Sequence, residues 1–402
     1  MLEYKDRLQR AADAIKNADF ILIGGGAGLS DAAGLHYSGN RFTDNFTDFI
    51  EKYGLEDLYT SSFYPFKTQE ERWGYWAKHI SLNRYDTPAA ELYKDLFRLA
   101  QSKEYFVITT NVEHQFIKAG FPVEKVFAVQ GDYGLFQCER GCHNTLYDNA
   151  ELVKVMIAHT RDCMIPAFLV PKCPVCGGEM DTNLRHSNDF VQDENWYAAE
   201  SRYENFLKTS KGKRIVYLEL GVGFNTPGII RIPFEQLCCQ NKNAMLIRIN
   251  RDYPDGAKEN AACTIAFTED MAQIIKALCK KDSKQARPVS IKSKSNGDEN
   301  MNRLNVLDAW KEGVSKFFAP KSAQGYMQPA MAVAGSCGSS CGAGDEKKDE
   351  KPSACGSACG AGDADKKEEK PAACGASCGA SDEGKEEKPA ACGASCGAGD
   401  QK

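Results

Sequence analysis

The carboxyl-terminal segment of this chain limits where a folded core can lie. From Gly335 to Lys402 there is no Val, Ile, Leu, Met, Phe, Tyr or Trp. A segment without large apolar side chains cannot bury enough surface to offset the entropy of ordering its backbone. We therefore predict that residues 335–402 form a disordered tail, and that the core lies upstream.

The tail is also a repeat. The unit Cys-Gly-x-x-Cys-Gly-Ala begins at Cys337, Cys355, Cys374 and Cys392, at spacings of 18, 19 and 18 residues. Paired thiols on a glycine-rich segment can chelate a soft metal, form a local disulfide or carry a modification. A solubilising tail whose cysteines have no specific role is the alternative. The sequence leaves these interpretations open.

Upstream, the pattern is typical of an α/β domain. Short apolar runs alternate with segments of helical periodicity such as 89–100. Strands separated by helices assemble most readily as a parallel sheet with crossover connections. The predicted strands are 20–23, 105–109, 125–129, 215–220 and 244–249.

Two further segments precede the tail. Residues 282–300 are rich in Lys, Ser, Asn and Asp and are predicted to be a solvated linker. An amphipathic helix is predicted over residues 301–319, because Leu304, Leu307, Trp310, Val314 and Phe317 share one helical face. This helix can pack onto the domain or dock against a partner, and the sequence does not decide between the two.

Charge and hydropathy narrow the range of partners. With 50 Lys and Arg against 55 Asp and Glu, the chain has no surplus of positive charge for a phosphate backbone. No stretch approaches the roughly 20 apolar residues that span a bilayer, and the first residues lack the apolar core of a secretory signal. We expect a cytoplasmic protein that binds neither nucleic acid nor membrane.

A glycine-rich turn after the first strand is the strongest candidate for ligand binding. Gly24-Gly25-Gly26-Ala27-Gly28 leads into a helix start at Ser30. Such a turn lets backbone N–H groups approach a pyrophosphate. The six-residue dinucleotide spacing is not cleanly present, so a tight structural turn is the alternative.

Polar clusters follow the other predicted strands. The carboxyl ends of parallel strands meet at one edge of a sheet, so these clusters predict a shared crevice. They are Thr109-Thr-Asn111-Val-Glu113-His114, Gln130-Gly131-Asp132, Gly221-Val-Gly223-Phe-Asn225 and Asn250-Arg-Asp252.

Four cysteines predict a metal site. Cys138-x3-Cys142 and Cys173-x2-Cys176 supply two close thiolate pairs, a spacing that suits a tetrahedral structural zinc ion. His143 is an alternative ligand in place of one cysteine. The other cysteines of the domain are predicted to be small buried apolar residues: Cys163, Cys238, Cys239, Cys263 and Cys279.

These motifs, in this order, resemble the sirtuins. The matching segments are Gly26-Ala-Gly-Leu-Ser30, Thr109-Thr-Asn111-Val-Glu113, Gln130-Gly131 ahead of the four cysteines, and Gly221-Val-Gly223 followed by Ile249-Asn250. The resemblance covers about residues 1–281. It implies a doubly wound, Rossmann-like NAD domain with a small inserted four-cysteine zinc module at about 133–182.

Two departures narrow the resemblance. Deacylating sirtuins carry Pro-Asp-Phe-Arg after the glycine loop and a His-Gly pair at the active site, where this chain has His36-Tyr37-Ser38-Gly39 and Gln130-Gly131. These residues, together with Arg41, resemble those at the same positions in the macrodomain-linked class M sirtuins. That resemblance implies NAD-dependent ADP-ribosyl transfer to a lipoylated glycine-cleavage H-like carrier protein, reversed by a partner macrodomain hydrolase.

The glutamine bears directly on the reaction. Deacylation needs a general base near neutral pH, which Gln130 cannot provide, although its amide can orient a ribose through hydrogen bonds. Departure of nicotinamide depends more on positioning and electrostatics than on a base. We therefore expect transfer; a deacylase with a substitute base and a non-catalytic NAD sensor are the alternatives.

The resemblance assigns roles by motif position. Asn111 orients the ribose and nicotinamide end of NAD, Gln130 positions the nucleophile or the ribose hydroxyls, and Asp132 is the third catalytic candidate. Glu113, His36 and His114 are further candidate bases. The cofactor-binding candidates are Gly26, Ala27, Gly28, Ser30, Tyr37, Arg41, Thr110, Asn111, Gln130, Gly221, Gly223, Asn225 and Asn250. Asn225 is alternatively a turn former before Pro227.

Overall fold

The computed structural model describes residues 3–283 of the 402-residue chain. The predicted helix 301–319, the repeat tail 335–402 and residues 284–300 of the predicted linker lie outside this range. The last described helix ends at Ser283, so helical structure continues two residues beyond the predicted domain end at 281.

Residues 3–283 contain nine strands and twelve α-helices, besides three short 3₁₀ helices and one π-helical turn. The strands are β1 Phe20–Gly25, β2 Glu104–Thr109, β3 Val126–Ala128, β4 Gly131–Cys138, β5 Tyr147–Asp148, β6 Met180–Leu184, β7 Ile215–Leu220, β8 Ala244–Ile249 and β9 Thr264–Phe267. The helices are α1 Tyr4–Asn17, α2 Ala27–Ala32, α3 Asn40–Thr43, α4 Thr47–Tyr53, α5 Leu58–Ser61, α6 Gln69–Ile80, α7 Glu91–Ala100, α8 Gln115–Lys118, α9 Ala150–His159, α10 Glu194–Ser210, α11 Arg231–Gln240 and α12 Met271–Ser283.

The larger sheet confirms the predicted fold class. Its six strands are parallel and lie in the order β3-β2-β1-β7-β8-β9. The strand order reverses at β1, which pairs with β2 on one side and β7 on the other. Gly25 at the end of β1 lies beside Thr109 and Leu220. The loops that follow β1, β2 and β7 therefore meet at one edge, where ligands of doubly wound sheets bind.

Helices cover both faces of this sheet. Successive residues of a strand point to opposite faces, so Ile21 and Ile23 pack with α1, α7 and α12, whereas Leu22 packs with α10 and α11. Strands that are buried on both sides read as continuous apolar runs. This explains why the five predicted strands were found from the sequence.

Some elements differ from the prediction. β1 includes Gly24 and Gly25, so these residues belong to the strand and not to the turn. A Cβ on Gly24 would lie 2.4 Å from Ile230 Cγ2, and one on Gly25 would lie 2.9 Å from Phe116. These glycines therefore serve helix packing. Strand β9, which has only four residues, was not predicted from the sequence.

A smaller unit forms beside the sheet from two inserted stretches of chain. It contains α3 to α6, α9 and a three-stranded antiparallel sheet in the order β5-β4-β6. Its core is largely aromatic: Phe42 and Phe46 stack at 5.3 Å between ring centroids, and Trp73 meets Phe136 edge-on at 4.7 Å. A capping box between Thr68 and Glu71 fixes the start of α6. Among residues 3–283, no helix is long and apolar enough to cross a membrane.

The contact between Gly221 and the glycine turn is testable by mutation. Gly221 has a φ of +59°, and a Cβ there would lie 2.3 Å from the backbone of Gly28 and Leu29. We expect Gly221→Ala to lower the free energy of unfolding by about 3 kcal/mol, from backbone strain and overpacking together. Urea denaturation measures the change.

Gly212→Ala is the matched control, because Gly212 has a φ of +72° but no atom within 4 Å of the place where a Cβ would stand. Its loss should be limited to the left-handed backbone strain, about 1 kcal/mol. Equal losses for the two variants would contradict a close backbone approach at Gly221.

Candidate active site

Two glycine loops meet at the point where the strand order reverses. The Gly28 N–H donates to the Gly221 carbonyl at 2.9 Å, and the Gly26 N–H donates to the Leu220 carbonyl at 3.0 Å. A Cβ on Gly26 or Gly28 would lie 2.8 Å from the Gly221–Val222 backbone. The loops after β1 and β7 therefore touch through their backbones, which only glycine permits.

These contacts support the structural alternative for the glycine turn, and ligand binding there stays a prediction. Gly26, Gly28 and Gly221 are needed for packing of protein against protein. Gly223, two residues further on, has no atom within 4 Å of the position that a Cβ would take. Open space for a ligand therefore begins at Gly223 and at the exposed Ala27 on the first turn of α2.

A second pair of loops brings together the three predicted catalytic residues. The Val129 N–H donates to the Thr109 carbonyl, and the Tyr133 N–H donates to the Val112 carbonyl, both at 3.0 Å. Thr110 is tied to the first loop, because its N–H donates to the Gly25 carbonyl at 3.1 Å. Segments 109–114 and 129–133 consequently run side by side at the sheet edge, and Asn111, Gln130 and Asp132 lie on them.

Asn111 is the centre of a buried polar network. Its Nδ2 lies 3.0 Å from the Gly26 carbonyl, 3.0 Å from Ser30 Oγ and 3.2 Å from the Tyr93 hydroxyl. Ser30 in turn donates to Glu113 Oε1 at 2.7 Å, and Tyr93 donates to the same oxygen at 3.0 Å. The network locks the Asn111 side chain against the glycine turn. Ser30, predicted at the phosphates, is buried within it.

Burial raises the pKa of Glu113, although its hydrogen bonds from Ser30 and Tyr93 work in the opposite direction. Tyr93 and Glu113 are the residues of this network for which no structural role was predicted. The spacing of Tyr93 places it on the apolar face of α7. The sequence therefore gives no indication that its hydroxyl bonds Glu113 and Asn111.

Gln130 occupies a different environment. It is half-buried, and its backbone carbonyl accepts from the Arg185 N–H at 3.0 Å. The side-chain amide has no hydrogen-bond partner among residues 3–283. Its donor and acceptor are therefore available to a ligand, whereas the Asn111 amide nitrogen is already engaged.

Asp132 belongs to a third arrangement. Its Oδ2 lies 2.6 Å from His114 Nδ1, and its Oδ1 accepts from Arg84 Nε and from the Gly134 N–H, each at 2.7 Å. Burial acts to raise the pKa of Asp132, but the hydrogen bond from His114 and the charge of Arg84 outweigh it and hold that pKa below its ordinary value. Asp132 is thus an anion with both oxygens in use.

Tyr37 and Arg41 approach from the smaller unit. The hydroxyls of Tyr37 and Tyr133 lie 2.9 Å apart, and Arg41 donates to the His36 carbonyl at 3.1 Å. Burial and then the charge of Glu113 raise the pKa of Tyr37 to about 12, so it stays a neutral phenol. His36 itself is half exposed and pairs with Asp31 at 2.6 Å, on the same segment of chain.

The loop after β8 is fixed by polar and ionic contacts. Asn250 Nδ2 donates to the Val222 carbonyl at 2.8 Å, and its Oδ1 accepts from the Tyr253 N–H at 3.0 Å. Arg248, fully buried, donates to both oxygens of Glu219 at 2.8 Å and to the Asp255 carbonyl at 2.8 Å. The predicted site residue Asn250 therefore joins two loops of the crevice.

An aromatic pair lies at this end of the crevice. Phe224 and Tyr253 meet edge-on with ring centroids 5.0 Å apart, and both are about half exposed. The Arg231 guanidinium lies 4.6 Å from the Phe224 centroid. Such a surface suits the face of a planar ring. Asn225 is exposed beside it. The pair was not predicted, although aromatic residues next to strand-end glycines are a readable signal.

The four predicted cysteines converge in the smaller unit. Their Sγ atoms all lie within 4.8 Å of one another, with Cys138 and Cys176 at 3.7 Å and Cys142 and Cys173 at 3.6 Å. Tetrahedral zinc with Zn–S bonds of about 2.3 Å requires S···S separations of about 3.8 Å. The donor set fits a zinc ion. His143 Nδ1 lies 3.0 Å from Cys142 Sγ, and its Nε2 bonds the Tyr147 hydroxyl at 2.8 Å.

The remaining cysteines match the prediction less well. Cys163 and Cys238 are buried, and Cys263 and Cys279 are partly buried. Cys239 is exposed, contrary to the prediction, because α11 turns that position away from the sheet while Cys238 faces it.

Comparison with known proteins identifies the family. A Staphylococcus aureus (strain Mu50) protein named "Protein ADP-ribosyltransferase" is 36% identical over 274 residues, which cover 67% of this chain and 86% of the relative. The chain belongs to the family of protein ADP-ribosyltransferases. A Fusarium oxysporum f. sp. cubense protein, "Probable bifunctional ADP-ribose hydrolase/ADP-ribosyltransferase", is 34% identical over 258 residues, or 60% of this chain and 42% of that protein. The chain thus matches less than half of the fungal relative.

Two other comparisons concern different parts of the ADP-ribosyltransferase. A family model described as "ACGX-repeat peptide" matches residues 303–366 and 364–401. Among solved structures, one of a Sir2 enzyme has a TM-score of 0.45 at 14% identity and covers 70% of this chain and 100% of its own. A Sir2 homologue–NAD complex has a TM-score of 0.43 at 14% identity, with 69% and 94% coverage.

The buried network around Glu113 makes a pH-dependent prediction. Since burial raises the folded-state pKa above the ordinary 4.5, ionisation favours the unfolded chain. The contribution of Glu113 to stability should therefore fall as the pH rises through and above 4.5, and level off once the folded carboxyl is ionised. Glu113→Gln removes this dependence. Urea unfolding of both proteins between about pH 4 and about pH 7 measures it. A stability difference that does not change with pH would contradict the burial.

Proposed function

We propose that this ADP-ribosyltransferase uses NAD as its donor and transfers ADP-ribose to a protein nucleophile with release of nicotinamide. The observation that carries the proposal is the half-buried Gln130 amide, which has no hydrogen-bond partner among residues 3–283 and lies on the segment beside Asn111. An amide at this place can orient a ribose but cannot act as a general base.

The crevice supports a dinucleotide donor. Space is open at Gly223, backbone of the glycine turn lies at the reversal point of the sheet, and Phe224 and Tyr253 offer a surface for a base. NAD supplies the reactive C1′–nicotinamide bond when bound. The residues that would hold it are those at the crevice: Gly26, Ala27, Gly28, Tyr37, Arg41, Thr110, Asn111, Gln130, Gly221, Gly223, Asn225 and Asn250.

We further propose the acceptor and the reversal partner. The resemblance to macrodomain-linked sirtuins supports a lipoylated glycine-cleavage H-like carrier as acceptor and a macrodomain hydrolase as the enzyme that removes the modification. The fungal relative's printed name combines ADP-ribose hydrolase with ADP-ribosyltransferase in one protein. That pairing of names supports an opposing hydrolase for this chain as well.

A zinc ion in the four-cysteine site would be structural. Four thiolates fill a tetrahedral shell and leave no position for substrate. The site joins β4, through Cys138, to the segment that precedes β6. Because β4 begins one residue after Gln130, an ordered zinc site would help to hold that residue at the crevice.

Labelled NAD and a lipoylated carrier test the activity. We expect label on the carrier, no label on the same carrier without lipoate, and no acyl-ADP-ribose from an acetyl-lysine peptide. Gln130→Ala should reduce transfer by about 100-fold, the scale of removing one aligned hydrogen-bonding group from a transition state. Gln101→Ala, at an exposed position outside the crevice, is the control and should transfer normally. Acyl-ADP-ribose formed by the unmutated protein would overturn the proposal.

Metal analysis tests the zinc site. The full chain and a Cys142→Ser/Cys176→Ser variant should differ by about one equivalent of zinc per chain, since two ligands cannot retain a tetrahedral structural ion. Cys239→Ser is the control, because Cys239 is exposed and lies outside the cluster. Equal metal content in all three proteins would contradict a zinc site at these cysteines.

A further inference from the structure

We propose that His114 is the general base that removes the proton from the acceptor nucleophile during ADP-ribosyl transfer, and that Asp132 and Arg84 position its ring. The inference rests on the proposed function and assigns to another part of the crevice the proton transfer that Gln130 cannot perform.

The contacts of the imidazole define its useful nitrogen. His114 Nδ1 lies 2.6 Å from Asp132 Oδ2. With Asp132 ionised, the neutral ring carries its proton on Nδ1 and donates it to the carboxylate, which leaves the Nε2 lone pair as the acceptor. Nε2 has no hydrogen-bond partner among the described residues. A carboxylate that fixes the tautomer of a histidine is the arrangement by which enzymes orient a base.

The carboxylate is itself held in place. Asp132 Oδ1 accepts from Arg84 Nε and from the Gly134 N–H, each at 2.7 Å. Arg84 lies on a π-helical turn, Ser81–Asp86; such turns are rare and occur frequently at functional sites. The turn holds the Asp132 carboxylate of β4, and that carboxylate bonds the imidazole on the loop after β2.

The charged groups around His114 are few. Asp132 faces it from β4, Arg84 lies behind Asp132, and Lys118 of α8 lies close enough to Arg84 and Asp132 to be influenced by both. Burial, then the charge of Arg84, lowers the pKa of Lys118. Glu113, the residue before His114, points into the buried Ser30 network.

The backbone at His114 is also unusual. Its φ of +68° lies in the left-handed region, which a side chain with a Cβ adopts at an energetic cost. Of the residues described, only Asp162 and Cys163 share this property among non-glycines. The hydrogen bond to Asp132 stabilises this backbone conformation and fixes the orientation of the ring.

The position of His114 suits a role at the crevice. It lies three residues after Asn111 on the loop that is paired with segment 129–133. Asn111, His114, Gly131 and Asp132 all line one cavity of about 30 Å³. The imidazole is about one quarter exposed, enough to exchange a proton with solvent or substrate.

The other candidate bases fit this role less well. The Glu113 carboxylate is 6% exposed and accepts from Ser30 and Tyr93. Both oxygens of Asp132 are engaged. His36 is 54% exposed and pairs with the equally exposed Asp31 at 2.6 Å.

The acceptor's nucleophilic atom forms a bond to C1′ of the donor ribose while the bond from C1′ to nicotinamide breaks and its electron pair leaves with nicotinamide. The proton of the nucleophile passes to His114 Nε2 and then to water. Hydrolysis of NAD, in which water attacks C1′, depends less on this base, because solvent readily captures an oxocarbenium-like centre.

Two rates measured on the full chain test the proposal: transfer of label from NAD to the lipoylated carrier, and release of nicotinamide without the carrier. His114→Gln should lower transfer by about 100-fold, within the range for loss of a general base, and change nicotinamide release by less than about threefold. His186→Gln is the control, because His186 also pairs with a buried aspartate, Asp181, at 3.0 Å, but through Nε2 and outside the paired loops 109–114 and 129–133. It should leave both rates unchanged.

A rescue experiment separates a chemical role from a structural one. Added imidazole should restore part of the transfer by His114→Gly and should have no effect on His186→Gly. Asp132→Asn should reduce transfer and retain nicotinamide release.

Three results would overturn the assignment: normal transfer by His114→Gln, a parallel loss of transfer and nicotinamide release, or no rescue of His114→Gly by imidazole. If the unmutated chain neither releases nicotinamide nor labels the carrier, the proposed function itself fails, and the assignment to His114 falls with it.

Discussion

The site depends on the close approach of two backbones. Gly28 donates to Gly221 at 2.9 Å, and neither position has room for a side chain. This contact joins the loops after β1 and β7 at the reversal point of the sheet. Asn111 bonds the Gly26 carbonyl of the same turn, and this hydrogen bond fixes the position of the loop after β2. One packing constraint between glycines thus sets the relative positions of three loops of the crevice.

The sequence predicted the features that depend on local signals. Buried parallel strands are apolar runs, and the residues after their ends share an edge by topology, so Asn111, Gln130 and Asn250 could be brought together without a structure. Partners set by packing were not predictable. Nothing local links Tyr93 to Asn111, or Arg84 to Asp132, because each pair lies on separate elements whose register only the folded chain fixes. Helices of four residues, such as α3, show no periodicity to read.

The smaller unit contributes more than a support for cysteines. It supplies Tyr37, Arg41 and Arg84, and the Arg185 N–H that follows β6 donates to the carbonyl of Gln130. On the opposite side, the buried Glu219–Arg248 pair holds the loop at Asn250. Gln130 and Asn250 are therefore anchored by different units. A rearrangement of one unit would change one end of the crevice and leave the contacts of the other intact.

The hydrogen bonding of Asn111 has a consequence for selectivity. Its amide nitrogen carries two hydrogens and already faces three protein acceptors, so only the carbonyl oxygen Oδ1 has capacity left. Whatever group lies against that oxygen must bring its own hydrogen. A carboxamide or hydroxyl satisfies the requirement, whereas a carboxylate would meet a second electron-rich oxygen and be repelled. With the proposed NAD donor, the crevice should therefore favour NAD over the corresponding dinucleotide that carries nicotinic acid in place of nicotinamide.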